Sequence, residues 1–272
     1  MPWFESRIWS EVAEPENPFA ARVARCRGYD VFGDMLPRAG WADMVFLLFA
    51  GEAPTAAQRR LLEGLAVALA NAGPRDPAVH AAMCGGTGRA PAAASLMAAL
   101  AVGAGRVGGA REVFLAVTAW RQAQGDASRM LAILTAAPPC AVEVWPEDDS
   151  CPGFDPHSRV CPLPVRQTLA YLASAMPDGA LASLAAHRGI LEGQTRRGLT
   201  LTGVAAAAYA DLGLHPDQAE MLHLLLRLPG AAAHALEVGA KSYKALPFGE
   251  IALSEEDLAL GGGLSGTSEV LR

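Results

Sequence analysis

Nearly every segment of this chain from Trp41 to Val238 is built of strong helix formers, Ala and Leu above all. Gly or Pro interrupts these segments, and no run shows convincing strand alternation. Over 272 residues, 51% of them apolar and only 18% charged, that texture predicts an all-α protein with a large core. The apolar tracts around 92–104 and 201–210 are too short and too rich in Ala and Gly to span a bilayer, and predict helices packed through small side chains. A net charge of −6 argues against nucleic acid or an anionic membrane as the partner. No basic, apolar and small-residue leader opens the chain, so a cytoplasmic location is expected. Five scattered cysteines (Cys26, Cys84, Cys140, Cys151 and Cys161) make no CxxC pair, which fits reduced thiols better than a disulfide frame or a metal site.

Local signals place the helices. Trp41 to Ala50 is apolar almost all round and predicts a helix buried on every side. Thr55 is a natural N-cap for a helix with Leu61, Leu62, Leu65 and Leu69 on one stripe. Asp76-Pro77 reads as cap and first-turn proline, with Gly85-Gly86-Thr87-Gly88 as the break. Gly103, Gly105, Gly108 and Gly109 mark a close backbone approach, and Glu112 to Gln124 resumes as helix. Residues 136–166, rich in proline and carrying Glu147-Asp148-Asp149, read as loop. Helices return at Val165–Met176, Leu181–Leu191, Leu201–Leu212 and Pro216–Leu226, with Pro229-Gly230 separating off Ala231–Val238. The segment 1–26 is expected to wrap a neighbour or second subunit, and the tail after Gly261 to be disordered.

Six patches carry a resemblance. They are Arg27-Gly28-Tyr29-Asp30-Val31, the run Leu47 to Thr55, Gly108-Gly109-Ala110 with Glu112-Val113, Pro152-Gly153-Phe154-Asp155-Pro156-His157, Leu212-Gly213-Leu214, and His234-Ala235-Leu236-Glu237. In this order the chain resembles the citrate synthase family, which includes methylcitrate synthases and citryl-CoA lyase modules. The resemblance implies a two-domain helical fold with a large domain from 1–108 plus 214–272. A small lid domain at 109–213 and a two-fold homodimer are implied with it. It also implies an acyl-CoA thioester as substrate rather than a permanently bound cofactor, and a keto or hydroxy di- or tricarboxylic acid as its co-substrate.

The family's chemistry needs a carboxylate base, a His that stabilises the enol oxygen, a second His that polarises the ketone, and arginines that hold carboxylates. His157 and Arg166, nine residues apart, match the second His and its following Arg, although Asp155-Pro156 adds one residue before the His. Asp155 itself is a candidate base, or a turn former. His80 and Arg106 are candidate substrate contacts, and Arg196 and Arg197 candidate contacts for CoA phosphates. His234 reads as a packed histidine of the late helix or as a ligand. His187, His215 and His223 read as surface or cap residues, and Glu192 and Asp211 as solvated. No metal site is expected.

Two family positions depart. Val107 stands where the first His would be, which costs on the order of 100- to 1000-fold in rate for a lost donor. Thr202 stands where the catalytic Asp would be, a further loss of roughly 100- to 10,000-fold. The resemblance therefore implies either an enzyme of altered chemistry or an inactive homologue that senses a ligand or supports a partner. The arginines usual near the family's C-terminus are not recognisable in Lys241–Phe248.

Overall fold

The structure, a computed structural model, describes residues 5–136 and 151–241. Cys140, the acid run Glu147-Asp148-Asp149 and the tail after Gly261 lie outside the described residues, as does Lys241–Phe248 beyond its first residue. Among the described residues ten α-helices follow one another from residue 41: α1 (Trp41–Ala50), α2 (Ala56–Leu69), α3 (Pro77–Thr87), α4 (Ala92–Gly103), α5 (Ala110–Ala123), α6 (Ala127–Ala136), α7 (Leu163–Ala173), α8 (Ala180–Thr195), α9 (Leu201–Asp211) and α10 (Pro216–Gly239). Among the described residues the helical expectation holds from Trp41 to Gly239.

The N-terminal segment differs from expectation. β1 (Trp9–Ala13), β2 (Ala21–Cys26) and β3 (Tyr29–Asp30) form an antiparallel three-stranded sheet, and a π-helical turn at Val31–Met35 leads from it toward α1. The strand pattern was hidden for a physical reason. β1 is exposed on both faces, and the buried face of β2 consists of Ala24 and Cys26, too small to stand out between arginines. Arg27 closes the β2–β3 turn at φ +51° and reaches the end of α1, where Nη2 donates to the Leu48 carbonyl.

Caps fix the helix starts as the residues dictate. Thr55 Oγ1 accepts from Gln58 N at 3.2 Å while Gln58 Oε1 accepts from Thr55 N at 2.9 Å. Asp76 Oδ1 accepts from Ala78 N and Val79 N above Pro77. α8 is capped from a distance: Asp211 Oδ1 takes Ala180 N at 2.6 Å and Oδ2 takes Leu181 N at 3.0 Å. Asp211 is thus a half-buried tie between α9 and α8 and not a solvated side chain. Burial raises its pKa, and the two backbone donors pull it back.

The main core gathers Phe46, Leu62, Trp120, Leu172, Leu181 and Tyr209 from α1, α2, α5, α7, α8 and α9. α9 lies at its centre, buried without a break from Thr202 to Tyr209, because five Ala or Gly side chains let neighbours approach from all sides. α1 is less enclosed than its composition suggests, with Trp41 60% exposed. A second cluster joins Val79, Met83, Ala99, Ala235 and Val238 of α3, α4 and α10.

α10 runs unbroken through Pro229, where a break was expected. The next amide turns outward: Gly230 N donates to Ala70 O at 2.6 Å, and a Cβ on Gly230 would meet that oxygen at 2.5 Å. The helix is held against the end of α2 at the point where proline weakens its own ladder. His234 adds to this contact, with Nε2 3.2 Å from Asn71 Oδ1 and Nδ1 3.3 Å from Glu237 Oε2. His223 is fully buried rather than superficial. Its Nδ1 lies 3.4 Å from Tyr209 OH, and burial with help from Arg227 pushes its pKa down to about 3.

Candidate functional site

Three loops carry the residues singled out from the sequence: the glycine turn at 104–109, the turn at 151–158, and the entry to α9 at 198–202. The last two are stitched together. Asp155 N donates to Gly198 O at 2.9 Å, Gly198 N to Ser158 O at 2.8 Å, and Thr200 N to Gly153 O at 3.0 Å, with Phe154 and Leu199 forming an isolated antiparallel bridge. Gly153 has φ +92°, and its backbone lies so close to α9 that a Cβ on Gly203 would fall 2.4 Å from Gly153 O. Glycine is required on both sides of this contact.

The glycine turn joins them through one side chain. Glu112, in the first turn of α5 and only 4% exposed, accepts from Gly108 N through Oε2 at 2.5 Å and from Gly153 N through Oε1 at 2.7 Å. From the other side Arg227 Nη1 donates to Gly108 O at 3.2 Å, while its Nη2 pairs with Asp76 Oδ2. Gly108, at φ +68°, is therefore gripped at both its N–H and its C=O.

This geometry decides what can fill the positions of Val107 and Thr202. Val107 is 55% exposed and offers no donor, and the grip on Gly108 resists the backbone shift that Arg106, half-buried beside it, would need to take its place. Thr202 is buried, with its hydroxyl 3.2 Å from Thr200 Oγ1. Glu112 reaches toward both gaps, since it bonds the residue after Val107 and the glycine that abuts Gly203. Both its oxygens accept backbone N–H groups, which suits it to holding the two loops together.

The sequence-derived candidates fall as follows. His157 is exposed on the 151–158 turn, and its backbone N–H is accepted by Asp155 Oδ1 at 2.8 Å, so Asp155 shapes the turn that presents His157. Arg166 is exposed in the first turn of α7, close enough to Cys161 for its charge to act on that thiol, whose pKa burial raises. Arg196, at φ +56°, ends α8 exposed, and Arg197 follows half-buried with its N–H on Thr195 Oγ1, both immediately ahead of the stitched Gly198. His80 is exposed on α3, one turn beyond the Asp76 that pairs with Arg227. Glu192 is not solvated: it pairs with Arg188 at 2.6 Å and accepts from Leu199 N at 3.2 Å, bracing the same loop.

Glu112 and Arg227 escaped the sequence reading. An acidic residue in a first helical turn looks like an ordinary dipole partner, and nothing local says that it is buried. Arg227 did leave a signal, as a lone cation within the run Leu224-Leu225-Leu226-Arg227-Leu228. Among the described residues no group of three or more His, Cys, Asp or Glu is placed to hold a metal ion, and no helix is long and apolar enough to cross a membrane.

No protein-family model matches the chain, and no curated sequence matches it. Solved structures do. Citryl-CoA lyase from Hydrogenobacter thermophilus superposes with a TM-score of 0.68 at 17% identity, over 99% of this chain and 96% of that one. ATP citrate lyase of Methanosaeta concilii, a D541A mutant in complex with (3S)-citryl-CoA, gives 0.68 at 16% identity. ATP citrate lyase of Methanothrix soehngenii, in complex with citrate and coenzyme A, gives 0.68 at 17%. In both ATP citrate lyases 95% of this chain spans only 43% of the larger protein. The chain thus has the helical, citrate synthase-like fold of citryl-CoA lyase.

Proposed function

We propose that this protein takes a citryl-CoA-type thioester and acts on the carbon–carbon bond between its acyl group and a keto or hydroxy di- or tricarboxylic acid, with cleavage as the favoured direction. The observation that carries this reading is the joining of three separate loops, 104–109, 151–158 and 198–202, around the buried Glu112 and the Gly153–Gly203 contact. Those loops hold the positions that the sequence resemblance assigns to catalysis. The likeness to a citryl-CoA lyase, and to ATP citrate lyases solved with citryl-CoA or with citrate and coenzyme A, names the ligands to test.

Cleavage asks less of the residues present. Condensation begins by removing a carbon-bound proton, which needs a base where Thr202 stands. Cleavage begins by removing a hydroxyl proton, which the His157 imidazole accepts. The C–O bond becomes a carbonyl, the carbon–carbon bond breaks, its electron pair passes to the thioester α-carbon as an enolate, and the proton held by His157 returns there through a water, which restores the neutral imidazole. Arg166 holds a carboxylate of the acid, with Arg106 and His80 as further contacts. Arg196 and Arg197 meet the phosphates of CoA, and Asp155 orients the His157 turn. In this reading residues 109–213 close over the ligand, and the protein works as a homodimer.

Oxaloacetate formation from (3S)-citryl-CoA, and CoA release from acetyl-, propionyl- and succinyl-CoA with oxaloacetate, test it. Wild-type turnover of citryl-CoA that disappears in His157→Ala is expected. Equal rates for the two across the panel would remove the enzymatic reading. A second reading, tight binding without turnover, is favoured by the valine at 107 and the hydroxyl of Thr202 beside Thr200. It predicts a ligand-dependent rise in melting temperature with no product.

A further inference from the structure

We infer that a second small-molecule site lies at the junction of the N-terminal sheet with α1 and α2, and that it takes a small organic anion: a carboxylate or phosphate group on an apolar body. A cavity of ≈ 250 Å³ opens there, lined by β3, the π-helical turn, α1, the α1–α2 loop and α2. None of these elements supplies a residue of the candidate catalytic loops. The volume falls just below the range of pockets that bury drug-sized ligands, so it fits a smaller molecule and excludes a whole coenzyme A.

The polar groups of this cavity are donor-rich. Asp43, 6% exposed, is satisfied within the protein: Oδ2 accepts from Gly40 N at 2.8 Å and Oδ1 from Arg59 Nε at 2.5 Å. The bond through Nε fixes the Arg59 guanidinium at the cavity while its terminal N–H groups have no acceptor among the described residues. Arg38 lines the same cavity with its own donors, against a single further carboxylate, Asp34. A planar guanidinium anchored through Nε, with a second one lining the same cavity, is suited to an oxyanion with two or more oxygens. Tyr29, Met35, Leu47 and Pro54 supply the apolar walls for the rest of the molecule.

The buried carboxylate matters to this assignment. An Asp43–Arg59 pair serving stability alone would favour a closed contact, because a half-exposed ion pair contributes little. Here the Arg59 side chain stays 48% exposed, directed to an open cavity, while the side chain of its partner is 9% exposed. The pair therefore presents one guanidinium edge to a ligand and uses the other to stay in place.

Calorimetric titration of the full chain with 3-phenylpropionate, AMP and inorganic phosphate tests the site. The inference expects saturable binding of 3-phenylpropionate or AMP, weakened at least about tenfold in Arg38→Ala and in Ala53→Phe, which fills the cavity. Because Arg38 and Ala53 are exposed, both variants keep the fold, and unchanged melting curves verify this. Binding of 3-phenylpropionate alone identifies a carboxylate ligand, and of AMP alone a phosphate one. No binding of either organic anion, binding of inorganic phosphate only, or affinities unchanged in both variants would overturn the assignment. Turnover or binding of citryl-CoA is measured separately, and its failure leaves this result untouched.

Discussion

Replacing Glu112 tests how the candidate site is held together. Its carboxylate accepts a fully buried N–H from Gly153 and a partly buried one from Gly108. Truncation to Ala strands the Gly153 amide at a cost of about 1–3 kcal/mol, while water replaces part of the lost bond at Gly108, about 0.5–1.5 kcal/mol. The sum, about 1.5–4.5 kcal/mol, is a large share of an ordinary domain's stability and corresponds to a melting temperature lower by roughly 3–18 °C. Glu112→Gln keeps the shape and one acceptor but sets an NH₂ against the second amide, so its loss is smaller, about 1–2 kcal/mol. Urea unfolding gives the totals, and hydrogen exchange resolved to peptides covering 104–112 and 151–158 gives the location. Faster exchange in both peptides at once is expected, since a single side chain serves both. A stability loss under about 0.5 kcal/mol, or loosening of only one peptide, would refute the joint role.

His223 sets a pH dependence. Its folded pKa, about 3, lies below the ordinary histidine value of 6.5, so the neutral form is favoured by folding. That contribution is fully present above pH 6.5 and is lost as pH falls toward 3, at up to about 1.4 kcal/mol per pH unit. Denaturant titrations at pH 7 and pH 5 should show this slope in the wild type and lack it in His223→Gln; equal slopes would contradict it. Gly203→Ala drives a methyl to within 2.4 Å of Gly153 O and should destabilise by more than about 2 kcal/mol. Gly189→Ala, in the middle of α8 with nothing within 4 Å of the new methyl, should stabilise by about 0.5–1 kcal/mol. Thermal melts of the two glycine variants moving in the same direction would refute the packing account.

What was legible in the sequence was whatever rests on local chemistry. Thr55 with Gln58 and Asp76 with Pro77 announce their helix starts because capping is decided within four residues. The composition of α9 announces a helix buried on all sides because only small side chains pack that way. Long-range ties left no such mark. Asp211 caps a helix that begins 31 residues earlier, so alone it resembles a solvated acid. The continuity of α10 through Pro229 depends on Ala70, far away in sequence. His157, Arg166, Val107 and Thr202 were singled out by their order and spacing. The carboxylate and guanidinium that grip the loops between them, Glu112 and Arg227, were not, because their role exists only once α5 and α10 meet the glycine turn.

The central claim is that three loops, remote in sequence, form one ligand site. Hydrogen exchange with and without saturating citryl-CoA addresses it directly. The account predicts simultaneous protection of peptides spanning 104–109, 151–158 and 196–203, with the protection lost in His157→Ala combined with Arg166→Ala. Protection confined to other elements, or absent from all three loops, would contradict it.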